Sequence, residues 1–131
     1  MFAKGVTLKT CLIVDDSHVV RFVLSRIVAD LGMLVAQAAD GHAALDVCRR
    51  RMPDAILLDW NMPVMNGLEF LNALAAEAGS RRPPVIFCTG EESAKSIMAA
   101  MAAGASDYVL KPFDRATITG KLRQVGLLAE A

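Results

Sequence analysis

Short apolar runs alternate with longer segments of helical periodicity along this chain. Apolar residues that follow one another without a polar break predict strands, and apolar residues spaced three or four apart predict amphipathic helices. The five predicted strands cover residues 9–14, 33–38, 55–59, 85–88 and 107–110. A predicted helix follows each strand, starting near residues 17, 40, 67, 93 and 114. This regular order of strand and helix defines the class of fold.

Cap and turn residues mark the ends of several predicted helices. Asp16 or Ser17 can cap the first helix, and Gly32 is a plausible stop for it. Ser93 can cap the fourth helix. The last helix is predicted to run over about residues 114–128.

Five strands and five helices joined by short connections predict a doubly wound parallel α/β sheet with right-handed crossovers. Residues 55–58 are apolar at every position, which suits a strand covered by helices on both faces. The pattern contains no repeat, linker or second domain. We therefore expect a single domain over residues 1–131, with a core of about residues 9–128.

The composition narrows the class of protein further. The chain has 131 residues, of which 54% are hydrophobic and 21% charged, and its 14 basic residues balance 14 acidic ones. Because these charges balance, the chain lacks the excess of positive charge that nucleic-acid binding requires. No apolar run is long enough to span a membrane, and we expect no signal peptide, because residues 1–10 have charge but no apolar core. Three cysteines, Cys11, Cys48 and Cys88, lack metal-site spacing, and we interpret them as reduced core residues of a cytoplasmic protein.

The candidate chemistry lies where the predicted strands end. Asp15 and Asp16 follow the first strand, Asp59 ends the third, Thr89 ends the fourth and Lys111 follows the fifth. Ligands of open α/β sheets bind at this carboxyl edge. Clustered carboxylates repel one another, and a hard divalent cation such as Mg²⁺ relieves that repulsion. A hydroxyl and an ammonium group nearby could hold phosphoryl oxygens while one aspartate acts as nucleophile.

Four motifs at these strand ends resemble the response regulator receiver domains of two-component signalling. They are Asp15-Asp16, the stretch from Leu58 to Pro63 with Asn66-Gly67, Thr89-Gly90-Glu91, and the stretch from Asp107 to Phe113. The likeness covers about residues 9–128 and is greatest to the single-domain chemotaxis regulators of the CheY type. It implies the flavodoxin-like strand order 2-1-3-4-5.

The resemblance also implies roles for individual residues. Asp59 is expected to accept the phosphoryl group. Asp16, Asp59 and the backbone carbonyl of Asn61 are expected to bind Mg²⁺, with Asp15 acting mostly through water. Lys111 is expected to pair with the phosphoryl group.

Further residues are implied to carry or tune the response. Thr89 would move towards the phosphoryl group and Tyr108 would turn inward with it, remodelling the face formed by helix four, strand five and helix five. Asn61 and Glu91 would tune dephosphorylation, and the bond before Pro112 would be cis.

These roles describe a phosphorylation-dependent switch, and not an enzyme beyond its own phosphorylation and dephosphorylation. A sensor histidine kinase or a histidine phosphotransfer protein would supply the phosphoryl group, a target protein would bind the remodelled face, and a phosphatase could act on the product. Chemotaxis or flagellar motor control is the first hypothesis, and an intermediate role in a phosphorelay is the second.

Three other functions remain as alternatives. A haloacid-dehalogenase-like phosphatase also uses an aspartate nucleophile, but it carries a second aspartate two residues later, where this chain has Asn61. A flavodoxin-like FMN carrier needs a phosphate loop after the first strand, where Asp15 and Asp16 would repel the FMN phosphate. A degenerate receiver used only as a scaffold would lack acidic, hydroxyl or lysine positions that are filled here.

Overall fold

The computed structural model describes residues 8–90 and 94–128, and these form five strands, five α-helices and one short 3₁₀ turn. The strands and helices are, in chain order, β1 Thr10–Val14, α1 His18–Asp30, β2 Leu34–Ala38, α2 Gly41–Arg50, β3 Ala55–Asp59, α3 Gly67–Ala78, β4 Val85–Thr89, α4 Ala94–Ala102, β5 Asp107–Leu110 and α5 Arg115–Gln124. The 3₁₀ turn is Gly79–Arg81. The predicted alternation of strand and helix is confirmed.

The strands form one parallel sheet, as the sequence pattern predicted, and their order β2-β1-β3-β4-β5 is the one that the resemblance implied. Strand β3 lies at the centre, and all five of its residues are buried. The register pairs Val14 with Leu58 and Asp59 with Cys88, so the carboxyl ends of β1, β3 and β4 lie side by side. Because the strands are parallel, the residues that follow them share one edge.

Two apolar clusters hold the helices against the two faces of the sheet. Leu12 and Leu58 belong to the cluster that α2, α3 and α4 cover, whereas Ile13 and Leu57 belong to the cluster that α1 and α5 cover. Successive strand residues therefore point into opposite cores, as the period of a β-strand requires. Both faces of the sheet are covered, which explains why β3 carries no polar residue before Asp59.

Four of the helices have a side-chain cap at their N-terminus, which lies at the carboxyl edge of the sheet. Ser17 accepts a hydrogen bond from the Val20 N–H at the start of α1, and Asp40 and Asp114 cap α2 and α5 in the same way. Asn66 forms a capping box with Glu69 at the start of α3. The predicted cap of α4, Ser93, lies outside the described residues. These caps fix the loops that carry the carboxyl-edge residues.

Several element boundaries differ from the predictions. Strands β1 and β2 begin at Thr10 and Leu34, one residue after the predicted starts, and β4 ends at Thr89, one residue beyond its predicted end. Helix α5 ends at Gln124, before the predicted residue 128. Gly126 has a φ of 87°, and the Leu127 N–H donates to the Leu122 carbonyl. A left-handed glycine with such a bond ends a helix, although the apolar periodicity continues past it.

The three cysteines are buried and unpaired with one another. Burial raises the pKa of the Cys11 and Cys88 thiols to about 12 and that of Cys48 to about 11. These thiols are therefore protonated and unreactive at neutral pH, as core residues should be. Across residues 8–90 and 94–128, no helix has the length and apolar character that crossing a membrane requires.

Candidate functional site

Carboxylates from two strands meet one lysine at the carboxyl edge of the sheet. The Lys111 ammonium donates hydrogen bonds to Asp15 Oδ2 at 3.0 Å and to Asp59 Oδ1 at 3.2 Å. Asp15 and Asp59 are almost fully buried, and the Lys111 side chain is about one quarter exposed (27%). The lysine reaches over the end of β4, which lies between β3 and β5. The structure thus brings together three of the residues that the sequence singled out.

Asp15 is held in place from two directions. Its Oδ1 accepts a hydrogen bond from the Ser17 backbone N–H at 2.8 Å, and its carbonyl accepts one from Arg21 Nη1 at 2.7 Å. Arg21 was not predicted as a site residue. It lies four positions after the α1 cap, and that spacing turns its side chain back towards the carboxyl edge. The carboxylate of Asp15 is therefore orientated before any ligand binds.

Asp15, Asp16 and Asp59 form an acidic triad at the same point. Each offers one carboxylate oxygen, and the three oxygens lie within 4.8 Å of one another. Asp16 is exposed whereas the other two are buried, so the triad opens to solvent on one side. A few carboxylates beside an open, hydrated side fit Mg²⁺, which binds oxygen ligands and retains several waters.

The environment of Asp59 makes its negative charge unfavourable in the metal-free protein. Burial, and after it the charge of Asp15, raise the pKa of Asp59 to about 6, although the charge and hydrogen bond of Lys111 act in the opposite direction. Burial lowers the pKa of Lys111, but hydrogen bonds and charge attraction from Asp15 and Asp59 raise it overall. Lys111 therefore remains a cation, and a bound metal would favour the ionised form of Asp59.

A glycine allows the loop after β3 to fold tightly over Asp59. A Cβ atom on Gly67 would lie 2.6 Å from the Asp59 carbonyl oxygen and 3.1 Å from Trp60 Cα. The Gly67 N–H donates to the Trp60 carbonyl at 3.0 Å. The sequence motif includes Asn66-Gly67, but it does not show this close approach of two backbone segments. In the same loop, the exposed Val64 has a φ of 68°, which is rare for a β-branched residue.

Thr89 and Lys111 are joined through the backbone. Thr89 ends β4 and is buried, and its carbonyl accepts a hydrogen bond from the Lys111 N–H at 2.7 Å. The Lys111–Pro112 bond is cis, the isomer that the resemblance implies. Asn61 is exposed in the loop after β3, and Glu91 lies outside the described residues.

Tyr108 is connected to the site through aromatic packing. Its ring centroid is 5.9 Å from that of Phe87, which in turn is 5.5 Å from that of Trp60 beside Asp59. The three rings connect the loop after β3 with strand β5 through the cluster under α2, α3 and α4.

Known proteins share this fold and much of this sequence. The family model for the response regulator receiver domain matches residues 11–123. Chemotaxis protein CheY-3 of Vibrio cholerae serotype O1 is 36% identical over 115 residues, which cover 87% of this chain and 88% of that protein.

Solved structures agree with this likeness. V. cholerae chemotaxis protein CheY4 superimposes with a TM-score of 0.86 at 34% identity, covering 91% of this chain and 99% of that one. The receiver domain of sensor histidine kinase PA1611 from Pseudomonas aeruginosa superimposes with a TM-score of 0.82 at 31% identity, covering 92% of this chain and 99% of that one. That structure is described with magnesium coordinated in its active-site cleft. The present chain belongs to the response regulator receiver domain family, whose members are signalling proteins that bind Mg²⁺ in an acidic pocket.

Proposed function

We propose that this protein is a signalling switch that accepts a phosphoryl group on Asp59 from a phosphohistidine. The observation that carries the proposal is the Lys111 ammonium, which bonds both Asp15 and Asp59 within the acidic triad. This arrangement supports Asp59 as the nucleophile, because a cation and two further carboxylates lie beside it. Asp59 provides a carboxylate oxygen to attack phosphorus, so that an O–P bond forms as the N–P bond of the donor breaks.

The surrounding residues would have separate roles in binding Mg²⁺ and the phosphoryl group. Asp16, Asp59 and the Asn61 carbonyl would hold Mg²⁺, with Asp15 acting through water, and the bound ion would supply charge neutralisation for the transferred group. Lys111 would bind one phosphoryl oxygen as its bond to Asp59 is released. Thr89 would donate its hydroxyl to another, and Tyr108 would turn inward with it. Glu91 and Asn61 would influence the rate of dephosphorylation.

An apolar strip beside the site supports docking of a helical phosphodonor. Val19, Phe22 and Val23 of α1 are 69%, 57% and 43% exposed. A groove of about 440 Å³ runs from this part of α1 to Lys111 and Phe113. Exposed apolar patches beside a reactive group commonly bind partners. A sensor histidine kinase or a histidine phosphotransfer protein placed here would bring its phosphohistidine to Asp59.

The proposed response lies on the face formed by α4, β5 and α5, where a target protein would bind. Met98 and Met101 of α4 and Leu110 of β5 are exposed on these elements. Methionines adapt to different partner surfaces. The CheY relatives favour chemotaxis or flagellar motor control, with a phosphorelay intermediate as the second candidate. We further propose a single-domain, cytoplasmic protein that a phosphatase can reset.

Acetyl phosphate with Mg²⁺ should phosphorylate the protein, because Asp59 and Lys111 would provide the nucleophile and one cation without a protein donor. Intact-mass spectrometry should detect addition of one phosphoryl group to the wild type and to Asp46→Ala, in which an exposed aspartate is removed. Asp59→Ala should show no addition. An unchanged wild-type mass, or an equal addition to Asp59→Ala, would contradict the proposal.

Mg²⁺ binding should change the fluorescence of Trp60, which is the only tryptophan and directly follows Asp59. Asp16→Asn should weaken Mg²⁺ binding by at least about tenfold, since it removes one carboxylate of the triad. Asp46→Asn should titrate like the wild type. Equal Mg²⁺ affinities for all three proteins would exclude Asp16 as a ligand.

A further inference from the structure

A lysine of α5 lies over the ring of Tyr108 and is tied to the neighbouring residue. The Lys121 ammonium is 5.8 Å from the centroid of the Tyr108 ring and 2.9 Å from Asp107 Oδ2. The other carboxylate oxygen of Asp107 accepts the Tyr108 backbone N–H at 2.8 Å. The carboxylate of Asp107 thus joins the backbone of Tyr108 to the cation that covers its ring.

The geometry favours a real contribution from both contacts. The side chains of Lys121 and Asp107 are only 26% and 24% exposed, so solvent screens their attraction less than it screens a fully exposed pair. A cation within about 6 Å of an aromatic centroid is attracted by the ring. Tyr108 is half-buried, so its ring is within reach of both the core and the surface.

We propose that the Asp107–Lys121 pair is a latch that holds the Tyr108 ring in its half-exposed orientation and opposes its inward movement. The proposal rests on the proposed function, in which Tyr108 carries the response to phosphorylation of Asp59. The latch would determine how readily the face formed by α4, β5 and α5 changes. Lys121 acts as a positioning residue, since it acts through its contacts with Asp107 and the Tyr108 ring.

The latch would affect the equilibrium between the two orientations of the Tyr108 ring. In the proposed latch, inward rotation of the ring would separate it from the Lys121 ammonium, which Asp107 would hold in its present position. Loss of the cation–ring contact and of the ion pair should together shift the orientation equilibrium about fivefold towards the inward state. The aromatic packing of Phe87 against both Tyr108 and Trp60 would transmit this shift towards the loop after β3.

The single tyrosine makes the latch directly measurable. Protein labelled with 3-fluorotyrosine should give one ¹⁹F resonance for Tyr108, and the H₂O/D₂O isotope shift of that resonance reports contact of the ring with water. Lys121→Met keeps an apolar stem of similar length but removes the charge. We expect it to move the resonance and reduce the isotope shift without any phosphoryl mimic, and Asp107→Asn to act in the same direction with a smaller effect.

Arg115→Met is the matched control, because it removes another α5 ion pair, to Asp30, that lies on the exposed surface. It should leave the Tyr108 resonance unchanged. An unchanged resonance and isotope shift in folded Lys121→Met would overturn the latch, whatever the wild type does with beryllofluoride and Mg²⁺. A wild type that ignores this phosphoryl mimic, while Lys121→Met moves the ring inward, would instead support the latch and count against the proposed function.

Discussion

Gly67→Ala should lower the free energy of unfolding by about 3 kcal/mol, near the upper end of the cost of overpacking. The new Cβ would lie 2.6 Å from the Asp59 carbonyl oxygen and 3.1 Å from Trp60 Cα, and both atoms belong to the backbone. A flexible side chain cannot move aside to relieve these contacts, so the loop after β3 must shift. Urea unfolding followed by circular dichroism measures the loss.

Gly120→Ala provides the opposite expectation within the same protein. A Cβ atom there meets nothing within 4 Å, and the residue lies inside α5. Alanine should therefore raise the free energy of unfolding by about 0.5–1 kcal/mol through its better helix propensity. A Gly67→Ala variant as stable as the wild type would contradict the close approach of α3 to the end of β3.

Asp59→Asn should stabilise the metal-free protein by about 1–2 kcal/mol at pH 7.5, in the presence of a chelator. Burial and the charge of Asp15 raise the pKa of Asp59 to about 6, so the ionised carboxylate destabilises the folded state. Asparagine has nearly the same shape without the charge. The magnitude allows for partial screening of the repulsion by solvent. Thermal and chemical unfolding in EDTA would measure it.

The raised pKa of Asp59 should also make the stability of the wild type depend on pH. Asp59 has a higher pKa folded than unfolded, so between about pH 4 and pH 6 the folded state binds more protons and stability falls as pH rises. The wild type should therefore lose stability from pH 5 to pH 7.5, and Asp59→Asn should lose less. Asp46→Asn, at an exposed site, should follow the wild type. A destabilised Asp59→Asn at pH 7.5 would contradict the electrostatic account.

The sequence predicted the sheet because its strongest signals were local. The run of residues 55–58 must be covered on both faces, and the polar residues that end the strands must meet once those strands are parallel. Asp15, Asp59 and Lys111 could therefore be grouped without coordinates. Each of these residues lies at the end of a predicted strand, and the spacing of apolar residues along the sequence is enough to locate such ends.

Contacts that depend on side-chain direction could not be predicted in the same way. Val23 has helical spacing with the buried positions of α1, yet it is 43% exposed because it lies at the margin of the apolar face. Arg21 and Lys121 reach their partners through long, flexible side chains. Their rotamers depend on how α1 and α5 cross the sheet, and no local pattern encodes that crossing.

The Lys111 bridge also fixes the charge balance of the carboxyl edge. When Asp15, Asp16 and Asp59 are ionised, their three negative charges face one ammonium group and leave an excess of two. A divalent cation would cancel that excess. Phosphorylation would replace one carboxylate charge with up to about two phosphoryl charges. The edge would then again carry an excess of about one negative charge. The edge would then attract further hydrogen-bond donors, which gives the buried Thr89 hydroxyl a physical reason to move towards the phosphoryl group.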